Sequence, residues 1–168
     1  KLEKDVGADF FTTNAAKLLA RPEVTAAIIA TDENNHMEPI LAACERSLDL
    51  FIEKPLATNA LESEKVLKAI EACGCDAVIG YTYRFRRRFL AVKEKLRTGQ
   101  IGDVSSVIAR AFMNRMVPIA TVRRTNQRRT LTPMVVSGTH ALDMSMWLMG
   151  GKEPVSVYAQ STDKILEE

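Results

Sequence analysis

Phe51-Ile52-Glu53-Lys54-Pro55-Leu56 sets a carboxylate, an ammonium and a proline directly behind the apolar run Leu48–Ile52. Such a run reads as a buried strand, and open α/β sheets bind ligands at the carboxyl ends of their strands. In a partly desolvated crevice the Lys54 ammonium donates hydrogen bonds to a hydroxyl or carbonyl oxygen and lowers the cost of charge growing there. Oxidation of a carbinol by hydride loss needs that help. Pro55 fixes its own φ and biases Lys54 toward an extended backbone. Glu53 can accept hydrogen bonds from ribose hydroxyls. The alternative is a solvated Glu–Lys pair, which is worth little when exposed.

A second candidate lies in Ser137-Gly138-Thr139-His140-Ala141-Leu142-Asp143. Asp143 is three residues beyond His140 and shares its helical face. A carboxylate there fixes the imidazole tautomer and raises its basicity, which suits a general base for a hydroxyl proton. Alternatively, His140 caps the helix and Asp143 is a first-turn acid favoured by the macrodipole. His36 follows the polar loop Thr31–Asn35, where it either contacts a cofactor or simply begins a helix. Arg84 with Arg86, Arg87 and Arg88, and Arg123 and Arg124 with Arg128 and Arg129, could grip phosphate or nucleic acid. No nucleic-acid motif accompanies them and acids elsewhere balance them, so they read as a solvated helix face and a basic loop. Met144, Met146 and Met149 read as core packing.

These residues need a frame. Val24–Ala30, Leu48–Ile52 and Ala77–Gly80 are apolar runs expected as parallel strands. Between them, helices are expected over about 37–46, with Ile40, Leu41 and Cys44 inward, and over 60–73, capped by Asn59, ended by Gly74, and with Leu61, Val66, Leu67 and Ile70 inward. A shorter helix is expected over 13–20. Strand and helix in alternation mean βαβ units, and right-handed crossovers put all three strand ends on one edge. The loops at Thr31, Glu53 and Tyr81 then line one crevice. A helix over 87–97 comes next, with Phe89, Val92 and Leu96 on one face, and from Asp103 the pattern changes. Residues 103–112 and 155–159 read as strands, 113–133 as a long basic loop, and 139–149 as a helix ended by Gly150. The domain boundary is placed near residue 100, giving units 1–100 and 101–168.

The 168 residues carry a net charge of +2 and 46% hydrophobic residues, ordinary for a globular protein with no particular charged partner. No run is long enough to span a bilayer. Cys44, Cys73 and Cys75 are an odd set without zinc spacing and read as free thiols of a reducing, cytoplasmic compartment. Two histidines exclude a histidine-rich metal centre, so no metal is expected. Both ends look cut, as in a segment of something larger.

The ordered motifs resemble the family of glucose–fructose oxidoreductase, inositol 2-dehydrogenase and the rhizopine-catabolism oxidoreductases (Gfo/Idh/MocA). The resemblance is carried by Ile28-Ile29-Ala30-Thr31 with His36, by Glu53-Lys54-Pro55-Leu56-Ala57, by Gly80-Tyr81 with Arg84-Phe85 and Gly99-Gln100-Ile101-Gly102, and by Gly138–Asp143 with Trp147-Leu148 and Gly150. It implies a Rossmann-type parallel sheet, incomplete at its N-terminal end, followed by the start of an α+β domain with an open, mostly antiparallel sheet. It implies hydride transfer between NAD or NADP and a secondary hydroxyl of a sugar, cyclitol or related polyol. Lys54 and His140 would be catalytic; Thr31, His36, Glu53, Lys54 and Arg84 would line the cofactor; Lys54, His140 and Asp143 would touch substrate. The family likeness further implies a homodimer or homotetramer, with neither nucleic acid nor membrane as partner.

Three departures stand out. Val136 occupies a position where many members carry an Asp, Asp32 replaces the usual proline, and Thr82 the usual asparagine. The chain has no Gly-x-Gly-x-x-Gly loop to cradle a pyrophosphate, so it is expected to be inactive alone. The competing reading is a non-catalytic sugar- or nucleotide-binding regulatory protein on the same scaffold.

Overall fold

The computed structural model describes residues 7–114, 116, 117, 119, 120 and 131–162. The chain folds as two compact units, Lys1–Gly80 and Tyr81–Glu168, where the sequence placed the change near residue 100. The helix at 87–97 belongs to the second unit because Lys93 Nζ donates to the Trp147 carbonyl at 2.5 Å.

In the first unit, strands β1 (Ala26–Ile29), β2 (Asp49–Ile52) and β3 (Ala77–Ile79) form a parallel sheet in the order β1-β2-β3. Helices α1 (Ala15–Leu19), α2 (Met37–Cys44) and α3 (Ala60–Cys73) alternate with them. Local chemistry fixes the ends. Asn14 Oδ1 accepts the Lys17 N–H at 3.0 Å and Asn59 Oδ1 accepts the Glu62 N–H at 2.9 Å, each satisfying a donor the helix cannot. Gly74, at φ 66°, turns α3 off in the left-handed region. Ile29, Leu50 and Ile52 of the sheet pack with Ile40, Ala43 and Cys44 of α2 and Val66 of α3. Each fully buried aliphatic side chain contributes about 1.5–3 kcal/mol.

Two expectations change here. Leu61 and Leu67 do not point inward; they are 79% and 50% exposed. The buried stripe of α3 runs through Val66, Ala69, Ile70 and Cys73, the i, i+3, i+4, i+7 spacing of one helical face, and Leu61 and Leu67 fall on its flanks. The thiols are not all free: Cys73 and Cys75 form a disulfide, with Cα atoms 5.4 Å apart, because left-handed Gly74 folds the chain back on itself. Cys44 alone is a free, buried thiol. The outer face of the sheet carries Ile28, Phe51 and Val78 in one register row, all exposed.

The second unit opens with a 3₁₀ turn, Thr82–Phe85, and helix α4 (Arg87–Arg97). Phe89 and Leu96 are half-buried, whereas Val92 is exposed. A π-helical turn, Met134–Gly138, runs without a break into α5 (Thr139–Met149). This helical stretch starts earlier than the sequence indicated. Thr132 Oγ1 accepts the Val135 N–H at 3.3 Å and the Thr132 carbonyl accepts the Val136 N–H at 3.0 Å. Thr132-Pro133 is therefore a cap followed by a first-position proline, inside a stretch that read as loop. The strands expected at 103–112 and 155–159 carry no ladder among the described residues. Alternation makes a strand only when a neighbour accepts its backbone bonds, and Ile108, Phe112, Val155 and Val157 are almost fully exposed. Arg123, Arg124, Arg128 and Arg129 lie outside the described residues. Among the described residues no helix is long and apolar enough to cross a membrane.

Candidate functional site

In the first unit the strand ends share a rim because the ladder continues one residue past each strand. The Glu53 N–H donates to the Ile29 carbonyl at 2.8 Å, and the Gly80 N–H donates to the Ile52 carbonyl at 2.7 Å. Gly80 relieves this close approach, where any side chain would oblige the Phe51 ring to give by a few tenths of an ångström. A Cβ there would meet Phe51 Cε1 at 3.3 Å and the Ile52 carbonyl oxygen at 3.4 Å. Glu53 and Lys54 emerge half-buried, and the Lys54 backbone N–H donates to Glu53 Oε2 at 3.2 Å. The Lys54–Pro55 peptide is cis.

His36 sits beneath this rim, only 1% exposed. Its Nδ1 is 2.7 Å from the Pro55 carbonyl oxygen and its Nε2 is 3.1 Å from that of Thr31. Thr31 Oγ1 in turn donates to the Asn35 carbonyl at 3.0 Å. A neutral imidazole carries one N–H and satisfies one of its two carbonyls; an imidazolium satisfies both. Either way the ring clasps the loop after β1 to the loop after β2. The structure thus brings Thr31, His36 and the Glu53-Lys54-Pro55 turn together. The clasp was not legible in sequence, since Pro55 offers only its carbonyl and lies 19 residues away.

In the second unit the pairing centres on Arg84. Its Nε and Nη2 donate to Asp143 Oδ2 and Oδ1 at 3.0 and 2.5 Å, a two-pronged contact on a carboxylate that is only 7% exposed. Its guanidinium also lies 5.8 Å from the Tyr81 and Trp147 ring centres. His140 stacks on Tyr83 with centroids 5.1 Å apart and meets Tyr81 edge-on at 6.3 Å. Tyr81 Oη is 3.3 Å from Thr139 Oγ1. Together these contacts hold the 3₁₀ turn against the start of α5. The π turn puts helical residues ahead of Thr139, so His140 is not a helix cap and Asp143 is not a first-turn acid. Tyr81 was placed at the crevice but not against His140, and Tyr83 was missed; the Tyr81-Thr82-Tyr83 spacing just before Arg84 was the available signal. Arg86 and Arg88 lie over the Tyr83 and Phe89 rings at 4.5 and 4.8 Å, a use for part of the basic cluster that needs no phosphate.

Comparison with known proteins bears on both units. A family profile described as "Oxidoreductase family, NAD-binding Rossmann fold" matches residues 1–81, and the "GFO/IDH/MocA C-terminal domain" matches 89–167. The chain is 34% identical over 158 residues to an inositol 2-dehydrogenase of Gluconacetobacter diazotrophicus, covering 90% of this chain and 44% of that protein. It is 27% identical over 153 residues to an inositol 2-dehydrogenase of Rhizobium meliloti, covering 91% and 44%. Among solved structures, scyllo-inositol dehydrogenase of Lactobacillus casei with NAD(H) and scyllo-inositol bound has a TM-score of 0.75 at 17% identity, covering 88% of this chain and 44% of that one. The chain thus spans less than half the length of these relatives.

Proposed function

Since the chain belongs to the Gfo/Idh/MocA oxidoreductase family, we propose that it is part of an NAD(P)-dependent dehydrogenase oxidising a secondary hydroxyl of an inositol or related sugar polyol. The observation that carries this reading is the ladder-fixed rim presenting Glu53 and Lys54, clasped from below by His36. The side chains there suit the ribose and nicotinamide end of the cofactor: a carboxylate that accepts from ribose hydroxyls, an ammonium beside it, and a backbone kept open by Gly80. Nicotinamide, when bound, supplies the hydride acceptor.

The chain's own residues then divide the remaining work. Lys54 donates to the substrate oxygen and steadies the negative charge that grows as hydride leaves carbon. His140 takes the hydroxyl proton, its ring plane set by Tyr83 and Tyr81. Asp143, buried and engaged at both oxygens by Arg84, orients that helix rather than contacting substrate. Thr31 and Arg84 complete the cofactor side, while His36, buried between two backbone carbonyls, positions that side from beneath without touching the cofactor. The parent assembles as a homodimer or homotetramer in the cytoplasm, where the nicotinamide pool lies.

The test is a polyol panel with NAD and with NADP, read by reduced-nicotinamide absorbance on the full-length parent. Lys54→Ala should lower kcat/KM by orders of magnitude. A change within about threefold, roughly 0.7 kcal/mol, would show that the ammonium is not part of the reaction. Val136, buried within the π turn, stands where the family resemblance implies an Asp, and it favours the second reading, a non-catalytic sugar- or nucleotide-binding regulator. Cofactor binding without turnover on any polyol would establish it.

A further inference from the structure

The three cysteines come from separate places in the sequence and converge at one. Cys44 is the last residue of α2, Cys73 is the last residue of α3, and Gly74 returns the chain so that Cys75 lies beside them. The three Sγ atoms all lie within 4.8 Å of one another. The Cys75 N–H donates to Cys73 Sγ at 3.3 Å, the kind of bond that supports a sulfur carrying charge. Cys44 is 7% exposed, while Cys73 and Cys75 are reachable from solvent.

We propose that Cys44, Cys73 and Cys75 form a binding site for one thiophilic closed-shell cation, zinc(II), which becomes available when the Cys73–Cys75 disulfide is reduced. Three observations carry it. Cys44 Sγ lies within 4.8 Å of both other sulfurs, near the separation of about 3.8 Å that a tetrahedral zinc–thiolate site with bonds of about 2.3 Å requires, and the Cys73 and Cys75 sulfurs part to that separation once their bond is reduced. Two helices end at the cluster, and their carboxyl-terminal partial charges favour a cation and disfavour bare thiolates. A buried thiol without a cationic neighbour gains little as a nucleophile, whereas a metal displaces its proton and uses the sulfur as ligand.

The chemistry balances. A dithiol reductant of the thioredoxin class gives two electrons and two protons to the Cys73–Cys75 bond and becomes a disulfide itself. Zinc then displaces one proton from each of the three thiols, and solvent completes its coordination. A disulfide oxidant of the glutathione class takes two electrons from the Cys73 and Cys75 thiolates and, with two protons from solvent, leaves as two thiols, so two of three ligands are lost and the ion is expelled. Spacing rules miss such a site because Cys-x-Cys supplies two ligands and the third lies about 30 residues upstream, on another helix.

The experiment uses the full chain, reduced with a phosphine and freed of reductant, titrated with Zn²⁺ alone and with Co²⁺ as a reporter. One equivalent should bind with thiolate-to-cobalt charge-transfer absorption, and the oxidised chain should bind none. Cys44→Ser should weaken Zn²⁺ by more than about a hundredfold, beyond the loss an outer-shell partner causes. Because Cys44 is in the core, the wild-type chain provides a second reading. Zn²⁺ should slow alkylation of all three cysteines, mapped by mass spectrometry. Absence of charge-transfer absorption, equal binding by the oxidised chain, or protection confined to Cys73 and Cys75 would each overturn the proposal.

Discussion

Replacing His36 by Phe keeps a buried ring of similar size and removes every hydrogen bond the ring donates, so it isolates what the clasp is worth. The two carbonyls it releases are not equivalent. Pro55 is buried, and its bond to Nδ1 is 2.7 Å long; Thr31 is exposed, so its carbonyl can turn to water. Leaving the Pro55 oxygen dry and unpaired costs about 1–3 kcal/mol, and exchanging the Thr31 bond for a bond to water costs about 0.5–1 kcal/mol. The expected loss is therefore about 1–4 kcal/mol, the Thr31 share being added only where the ring donates to both carbonyls. At a urea slope of about 1–2 kcal/mol per molar, the unfolding midpoint should fall by about 2 M with an unchanged slope. His36→Gln, which can reach one carbonyl, should recover about half. Urea denaturation followed by far-UV circular dichroism measures both. In the full-length parent the freed Pro55 carbonyl also loosens Lys54, and a displacement of about an ångström lowers kcat/KM by about ten- to a hundredfold. If His36→Phe shifts stability by less than about 0.5 kcal/mol, the imidazole does not hold the two strand-end loops together, and the reasoning fails.

Other expectations rest on the same physics. Arg84→Ala should destabilise more than Asp143→Ala, about 2–4 against 1–2 kcal/mol, because it strands a 7%-exposed carboxylate, whereas Arg84, 41% exposed, can turn to solvent; equal losses in thermal unfolding would contradict this. Gly74→Ala should cost about 1 kcal/mol through its φ of 66°, read from the same melts. Gly138→Ala should be nearly neutral despite the close approach of Met134 Sδ, because Met134 is half exposed and its thioether can swing away; a loss above about 1.5 kcal/mol would show that the π turn cannot relax. Burial pushes the Cys44 thiol above its ordinary value of 9.0. The folded state therefore prefers the protonated thiol. That contribution is present below the unfolded value and lost as pH rises through the folded one, so alkylation of Cys44 should begin at higher pH than in urea.

The first unit was legible because its signals are local. Asn59 and Gly74 punctuate α3, and short apolar runs between helices leave little besides a parallel sheet. Which apolar residues face the core was less legible: Leu61 and Leu67 resemble Val66 in type and differ only in angle around the helix. The second unit was harder for two reasons. Thr132-Pro133 was hidden in a polar, basic stretch. The alternating residues at 104–112 and 155–159 carry a strand pattern but no instruction about their pairing partners. The candidate side chains could be named from type and order, yet not their attachments. Nothing in sequence says that Arg84 takes both oxygens of Asp143, or that His36 is spent on two carbonyls.

The π turn has a consequence for how such a site can change. Each added residue advances an α-helix by about 100°, and a π turn is in effect one extra residue absorbed without breaking the rod. Losing one residue between Met134 and Gly138 would restore ordinary winding and leave His140, Asp143 and Trp147 facing Tyr81, Tyr83 and Arg84, because five residues in π winding turn through about the same angle as four in α winding. A single codon of length can thus be gained or lost at this turn without rotating the helix beyond it, so length variation here should leave the face that carries His140 in register.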